Sequence, residues 1–389
     1  MYEGPYSIER IAIMLVPPSL RSALDHAVVS GVFPGAVLAI RQGGERVCVI
    51  PAGRLSTDPP GSAVTSSTIY DLASLTKPLA TVTAMAVLVQ HGQCRLDDRA
   101  DSVLHELQGT ATGPATLRQL LTHSSGLPGW RGFYERLSPN ASLPTSPEAR
   151  AEVSRQILHM IAEEGLIHGR GKRSLYSDLG FMLLGLIIER LSGAPLDRFV
   201  REQIVQPLNA QPLCFFPTDS EGESRKNSMI GLIAPTERDS WRGHLLCGEV
   251  HDENAAALGG VAGHAGLFGT AEAVLALTGA WLAAYHRKPS LLNPEIVSDF
   301  SKRQSNIPGS SWAIGWDTPS PPSSSGRYFS PESFGHLGYT GTSVWIDPAC
   351  ELEVVLLSNR VHPTRKNEGI RTYRPMIHDL VYQECAQAF

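Results

Sequence analysis

"DLASLTKPLAT", residues 71–81, sets a serine three positions before a lysine at the start of an apolar run. The run continues as "TKPLATVTAMAVLVQHG", which reads as a helix. Pro78 is tolerated only in its first turn, and Gly92 suits its C-terminal end. Ser74 therefore lies at or just before the helix start. Residues three apart share a helix face, so Ser74 and Lys77 point the same way. A serine hydroxyl is a weak nucleophile until a neighbour takes its proton. The N–H groups of a helix start favour developing negative charge. The pattern suits an acyl-enzyme mechanism, but Ser74 alone can equally be a helix cap. The chemistry needs partners further along the chain.

The chain has 389 residues, 42% hydrophobic and 18% charged, enough for a sizeable core in one large or two interleaved domains. Its net charge is -5, and basic residues do not interleave with aromatics, so nucleic acid is not an expected partner. The six cysteines, at 48, 94, 214, 247, 350 and 385, form no C-x-x-C pair and no zinc-like spacing. They read as free, mostly buried thiols. At the N-terminus, Glu3 and Glu9 precede the short run "IAIMLV", and Pro17 and Pro18 end it, so a signal peptide is not expected. The run "LGFMLLGLII" (179–188) is too short to span a membrane. A cytoplasmic protein with no membrane partner is the expectation, and a start lying upstream would make the periplasm an alternative.

Working outward from the opening stretch, "GAVLAIRQGGERVCVI" (35–50) reads as two strands around Gly43–Gly44. From there to about residue 250 the signals are mostly helical. "TLRQLLTHSSGLP" (116–128) begins with a threonine cap, "PEARAEVSRQILHMIAEEG" (147–165) is amphipathic, and "LGFMLLGLIIERLSG" (179–193) is apolar and ends at glycine. Residues 138–147, 217–228 and 317–331 read as polar loops. The last third returns to strands: "GYTGTSVWIDPACELEVVLLSN" (338–359) is strand, Asp-Pro turn, strand, followed by a closing helix. Strands at both ends imply an antiparallel sheet flanked by helices, with a helical domain inserted. The expected division is a discontinuous sheet domain, 1–75 and 255–389, and a mainly helical domain, 76–254, with the active site in the cleft between them.

Two stretches offer partners for the serine. In "LYSDLGF" (175–181), Tyr176 precedes an apolar helix that Ser177 or Asp178 can cap. A tyrosine has an ordinary pKa near 10, and an ammonium such as that of Lys77 favours its phenolate. In "GHLGYTGTS" (335–343), three glycines suit a strand whose backbone approaches a ligand closely and offers an N–H as a second oxyanion donor. Each stretch alone is also compatible with a core tyrosine or a plain edge strand.

Taken together and in order, Ser74-Leu75-Thr76-Lys77, Tyr176-Ser177-Asp178 and His336-Leu337-Gly338 resemble the motifs of the serine β-lactamase and penicillin-binding protein superfamily. The similarity is to its class C, class VIII esterase and D-Ala-D-Ala carboxypeptidase-like branch, over roughly residues 20 to 385. The resemblance implies a β-lactamase-like (transpeptidase) fold of α+β/α type, without a cofactor or metal. It implies Ser74 as nucleophile, Lys77 and Tyr176 sharing proton transfer, and the N–H groups of Ser74 and Tyr339 as the oxyanion hole. Water would then release the acyl group.

Two positions depart from the family pattern. The third motif usually reads Lys-Thr-Gly, whose side chains help hold a substrate carboxylate, whereas here it is His336-Leu337-Gly338. A histidine is partly charged near neutral pH, so carboxylate recognition is expected to weaken unless Thr340, Thr342 or an arginine substitutes. Asp178 replaces an asparagine and favours the ammonium form of Lys77, which shifts the role of base toward Tyr176. In "GEVHDENAAALGGVAGHAGLF" (248–268), His251, Asp252 and His264 follow no metal-ligand spacing. This loop is expected to line the cleft, with His264 near the substrate.

The function expected is a serine hydrolase cleaving a small ester, an amide or a D-amino-acid or muropeptide-type peptide. The alternatives are a D-Ala-D-Ala carboxypeptidase, a β-lactamase proper, or a penicillin-binding sensor without turnover.

Overall fold

The computed structural model describes residues 12–13, 16–44, 46–57, 59–140 and 142–386. Its main sheet has six strands in the order β1-β3-β2-β9-β8-β7. They are β1 (Ala12–Ile13), β2 (Gly35–Gln42), β3 (Arg46–Gly53), β7 (Phe334–Leu337), β8 (Ser343–Asp347) and β9 (Leu352–Ser358). All pairings are antiparallel except β1 on β3. The hairpin of β2 and β3 turns at Gly43 and Gly44, whose φ of +60° and +76° lie where glycine meets no Cβ clash.

Both faces of this sheet are covered, so its central strands read as nearly continuous apolar runs. Side chains alternate between faces with period two. Ala36, Leu38, Ile40, Val354 and Leu356 join one core with the helices Pro18–Val29 and Ile370–Ala386. Val37, Ala39, Val355 and Leu357 join the other, which continues through the helix Ala271–Tyr285 into the helical middle of the chain. That second core holds the apolar helix Asp178–Ser192, which ends at Gly193 with φ +67°. No single helix among the described residues is long and apolar enough to cross a membrane.

A second, three-stranded sheet of β4 (Tyr70–Asp71), β6 (Leu267–Gly269) and β5 (Cys214–Phe215) is absent from the sequence reading. Its strands are too short to show a period. The supposed loop 217–228 also differs: Ser220–Met229 is a helix, capped by Asp219, whose side chain accepts the Gly222 N–H. Its polar, exposed surface gave no apolar period to read. The expected closing helix runs from Ile370 to Ala386, and the last three residues lie outside the described ones. All six cysteines are free; three are buried and three partly exposed.

Candidate active site

β4 delivers the chain into a sharp turn. Ala73 adopts φ +49°, a left-handed conformation that non-glycine residues seldom take. Asp71 holds it there: its Oδ1 accepts the Ala73 N–H at 2.8 Å, and its Oδ2 accepts the His251 N–H at 2.7 Å. Ser74 follows in a 3₁₀ turn, Ala73–Leu75, and stays half-buried. Its N–H belongs to the first turn, where helical N–H groups have no partner within the helix. The chain continues as a π-helical turn, Lys77–Val82, and then as the helix Thr83–Gln90. Pro78 occupies the first turn, where its missing N–H does no harm.

Lys77 is fully buried. Its Nζ lies 3.0 Å from Ser74 Oγ, 3.0 Å from the His264 carbonyl and 2.7 Å from Asp178 Oδ1. It also sits 4.8 Å from the centre of the Tyr176 ring. Burial opposes the charge on Lys77, but the Asp178 carboxylate and the Tyr176 oxygen outweigh it and raise its pKa. Lys77 is therefore an ammonium in the resting site. Burial likewise raises the Tyr176 pKa, and the pull of Lys77 does not overcome it. This corrects the expectation that the ammonium would favour the phenolate: the resting Tyr176 is a neutral phenol.

Tyr176 is held by a stretch whose role the sequence did not reveal. The Leu175 N–H donates to the His123 carbonyl at 2.8 Å, and the Ser177 N–H donates to His123 Nδ1 at 3.0 Å. Ser177 caps the next helix through the Gly180 N–H, and its hydroxyl donates to the Pro128 carbonyl at 2.6 Å. His123 takes φ +54° and lies 4.6 Å from the Tyr176 ring, with Trp312 packed against both. An isolated "THSSG" or "SSW" carries no period or cap signal that would mark these residues.

On the other side, the end of β7 packs against the Ala73–Leu75 turn. A Cβ on Gly338 would collide with Thr342 Oγ1 and sit 2.6 Å from the Leu72 carbonyl, so only glycine fits. Thr340 and Thr342 were expected in the cleft. Both are buried, and their hydroxyls donate to the Asp71 and Leu72 carbonyls at 2.7 and 3.0 Å. They brace the turn that carries Ser74. Beneath, Arg374 donates to the Gly338 and Thr342 carbonyls at 2.6 and 2.8 Å. The Tyr339 N–H at the head of this turn has no acceptor among the described residues. It is thus free to serve an oxyanion.

Two histidine expectations change. The His264 ring is buried and meets Asp252 Oδ1 at 2.8 Å, so it is the carbonyl of His264, not its ring, that reaches Lys77. Burial of Asp252 would raise its carboxyl pKa, but His264, the Ala255 N–H and Lys77 hold it low. His336 is also buried, and burial together with Lys77 and Arg374 pushes its pKa down to about 3. It is neutral at physiological pH and not partly charged as expected, which leaves it still less suited to a carboxylate. His251, the remaining histidine of the loop, pairs with Glu237 at 2.9 Å and stacks on Tyr339.

The arrangement has a reachable hydroxyl, a proton-transfer pair beside it and free N–H groups opposite, the parts that acyl transfer needs. Comparison with known proteins gives the family. The family model described as Beta-lactamase matches residues 20–374. The chain is 34% identical over 320 residues to the "Putative D-alanyl-D-alanine carboxypeptidase" of Escherichia coli (strain K12), covering 77% of this chain and 70% of that protein. It is 30% identical over 368 residues to the "N-acetylmuramyl-L-alanine amidase" of Bacillus subtilis (strain 168), covering 87% and 80%. Among solved structures, "EstCE1, a hydrolase with promiscuous acyltransferase activity" superposes with a TM-score of 0.71 at 22% identity, covering 93% of this chain and 97% of that one.

Proposed function

The chain belongs to the Beta-lactamase family and is a hydrolase, and on that premise we propose that it cleaves an ester or amide through an acyl-Ser74 intermediate. The observation that carries this reading is the 3.0 Å contact of Ser74 Oγ with the buried Lys77 Nζ, itself 2.7 Å from Asp178 and over the Tyr176 ring. The hydroxyl attacks the scissile carbonyl carbon as its proton leaves. Lys77, matched by Asp178, keeps its charge, so the base is the phenolate that Tyr176 forms by losing its proton to solvent. It takes the Ser74 proton and passes it to the leaving atom. The two groups interact strongly, and the pH profile reports the pair. The N–H groups of Ser74 and Tyr339 hold the oxyanion, and removing one such donor costs about 100- to 1,000-fold in rate. A water then attacks the acyl ester with the same base.

The substrate is a small molecule, and no cofactor enters the scheme. A second reading, an amide of the D-alanyl or muramyl-peptide kind, is favoured by the names of the two relatives above. Intact-protein mass spectrometry after brief exposure to a short activated ester tests the first reading. A transient adduct on the wild type and none on Ser74→Ala is expected. Equal turnover by Ser74→Ala would refute it.

A further inference from the structure

The reading of Ser74 as nucleophile has a consequence for what lies beside the scissile bond. A site that takes a carboxylate there needs a fixed cation or free hydroxyls facing it. Among the described residues around the third motif, none supplies one. Leu337 has no hydroxyl, and the hydroxyls of Thr340 and Thr342 are turned inward onto carbonyls. Arg360 lies beneath the Tyr339 ring and donates to the carbonyls of Tyr339, Arg365 and Asn367. Arg374 is buried behind the turn on two more carbonyls. Lys77 is matched by Asp178.

His336 fills the place of the missing cation with a different chemistry. Its Nδ1 lies 2.8 Å from the Leu337 carbonyl, which can only accept, so Nδ1 carries the proton. Nε2 is then a lone pair. It is buried and has no partner among the described residues. The charged and titratable groups around it are Lys77, Arg374, Tyr176 and His123. Burial and then the two cations disfavour a positive charge on the ring, and His123 is itself held neutral by burial and Lys77. The His336 ring stands 6.0 Å from Tyr176 and 5.6 Å from Trp312. Tyr176 must reach the leaving atom to pass it the proton, so His336 borders the leaving-group side.

We propose that this site selects esters or amides whose leaving group is uncharged and presents an N–H or O–H, which His336 Nε2 accepts. A carboxylate in that place would lose its hydration and face a lone pair.

The test uses wild-type enzyme and three activated phenyl esters of one acyl group. Their leaving groups differ only in a meta carboxamide, methyl ester or carboxylate, and each rate is normalised to its reaction with hydroxide. The expected order of kcat/KM is carboxamide, methyl ester, carboxylate. The first two should differ by about tenfold, what one hydrogen bond supplies. The order should hold between about pH 5.5 and 8.5, because the imidazole stays neutral throughout. A carboxylate substrate turned over as well as the carboxamide, or a swing toward it in acid, would overturn the inference. A methyl ester as good as the carboxamide would remove the hydrogen bond to His336. If none of the three acylates Ser74, the proposed nucleophile itself fails, and this inference with it.

Discussion

Gly338→Ala tests whether the oxyanion turn is set by its approach to the nucleophile turn. The new Cβ would sit 2.6 Å from the Leu72 carbonyl, where ordinary contact begins at 3.4 Å. Leu72 is two residues before Ser74, and its carbonyl is fixed by the Thr342 hydroxyl. Thr342 Oγ1, which the new Cβ also strikes, must turn away, and the end of β7 and the nucleophile turn must part by about 0.8 Å, carrying the Tyr339 N–H away from Ser74. A misplacement of about 1 Å costs on the order of 100-fold in rate, close to the lower bound for losing an oxyanion donor outright. Gly338 does not have positive φ, so the backbone itself accepts alanine. We expect kcat for an activated ester to fall about 30- to 100-fold with little change in KM, since the donor acts on the transition state. Overpacking should lower stability by about 1–3 kcal/mol. Stopped-flow acylation kinetics and thermal unfolding read the two effects separately. A folded variant with kcat within twofold of wild type would refute the coupling of β7 to Ser74.

Asp178→Asn should shift the alkaline rise of kcat/KM to lower pH. Asp178 raises the pKa of both Lys77 and Tyr176, so its removal lets either lose its proton earlier; a profile unmoved, or moved upward, would count against the pair. His123→Asn keeps a residue that tolerates the left-handed backbone but takes the ring away from Tyr176 and its nitrogen from the Ser177 N–H. It should destabilise the protein by about 1–3 kcal/mol and depress kcat more than it changes KM, checked by urea unfolding and steady-state kinetics. Burial would raise the Glu237 carboxyl pKa, but His251 and Arg365 hold it down to about 2, against an ordinary value of 4.5. Its folded pKa is depressed, so its contribution of up to about 3 kcal/mol is present above pH 4.5 and lost as pH falls toward 2. Glu237→Gln should lower stability at pH 7 and flatten the stability curve across that acid range.

The sequence by itself determined whatever depends on neighbours close along the chain. The one-turn spacing of Ser74 and Lys77, Pro78 inside a first turn, Ser177 as a cap and Gly193 past a helix end are local geometry, and local geometry is written in spacing. The alternation of β2 and β9 between two cores is likewise a property of consecutive residues. The tertiary structure alone decided which groups are charged and which are engaged. Thr340 and Thr342 look like cleft hydroxyls until carbonyls 269 and 270 residues away take them. Tyr176 looks like a phenolate beside an ammonium until burial outweighs the attraction. His336 looks half charged until burial and two nearby cations keep it neutral and a carbonyl fixes its tautomer. His123 and Trp312 carry no signal of their own and matter only because the fold packs them against Tyr176. Residue type and spacing fix where a side chain starts. Its protonation and its hydrogen-bond partner depend on dielectric and on atoms distant in sequence, and these exist only once the chain has closed on itself.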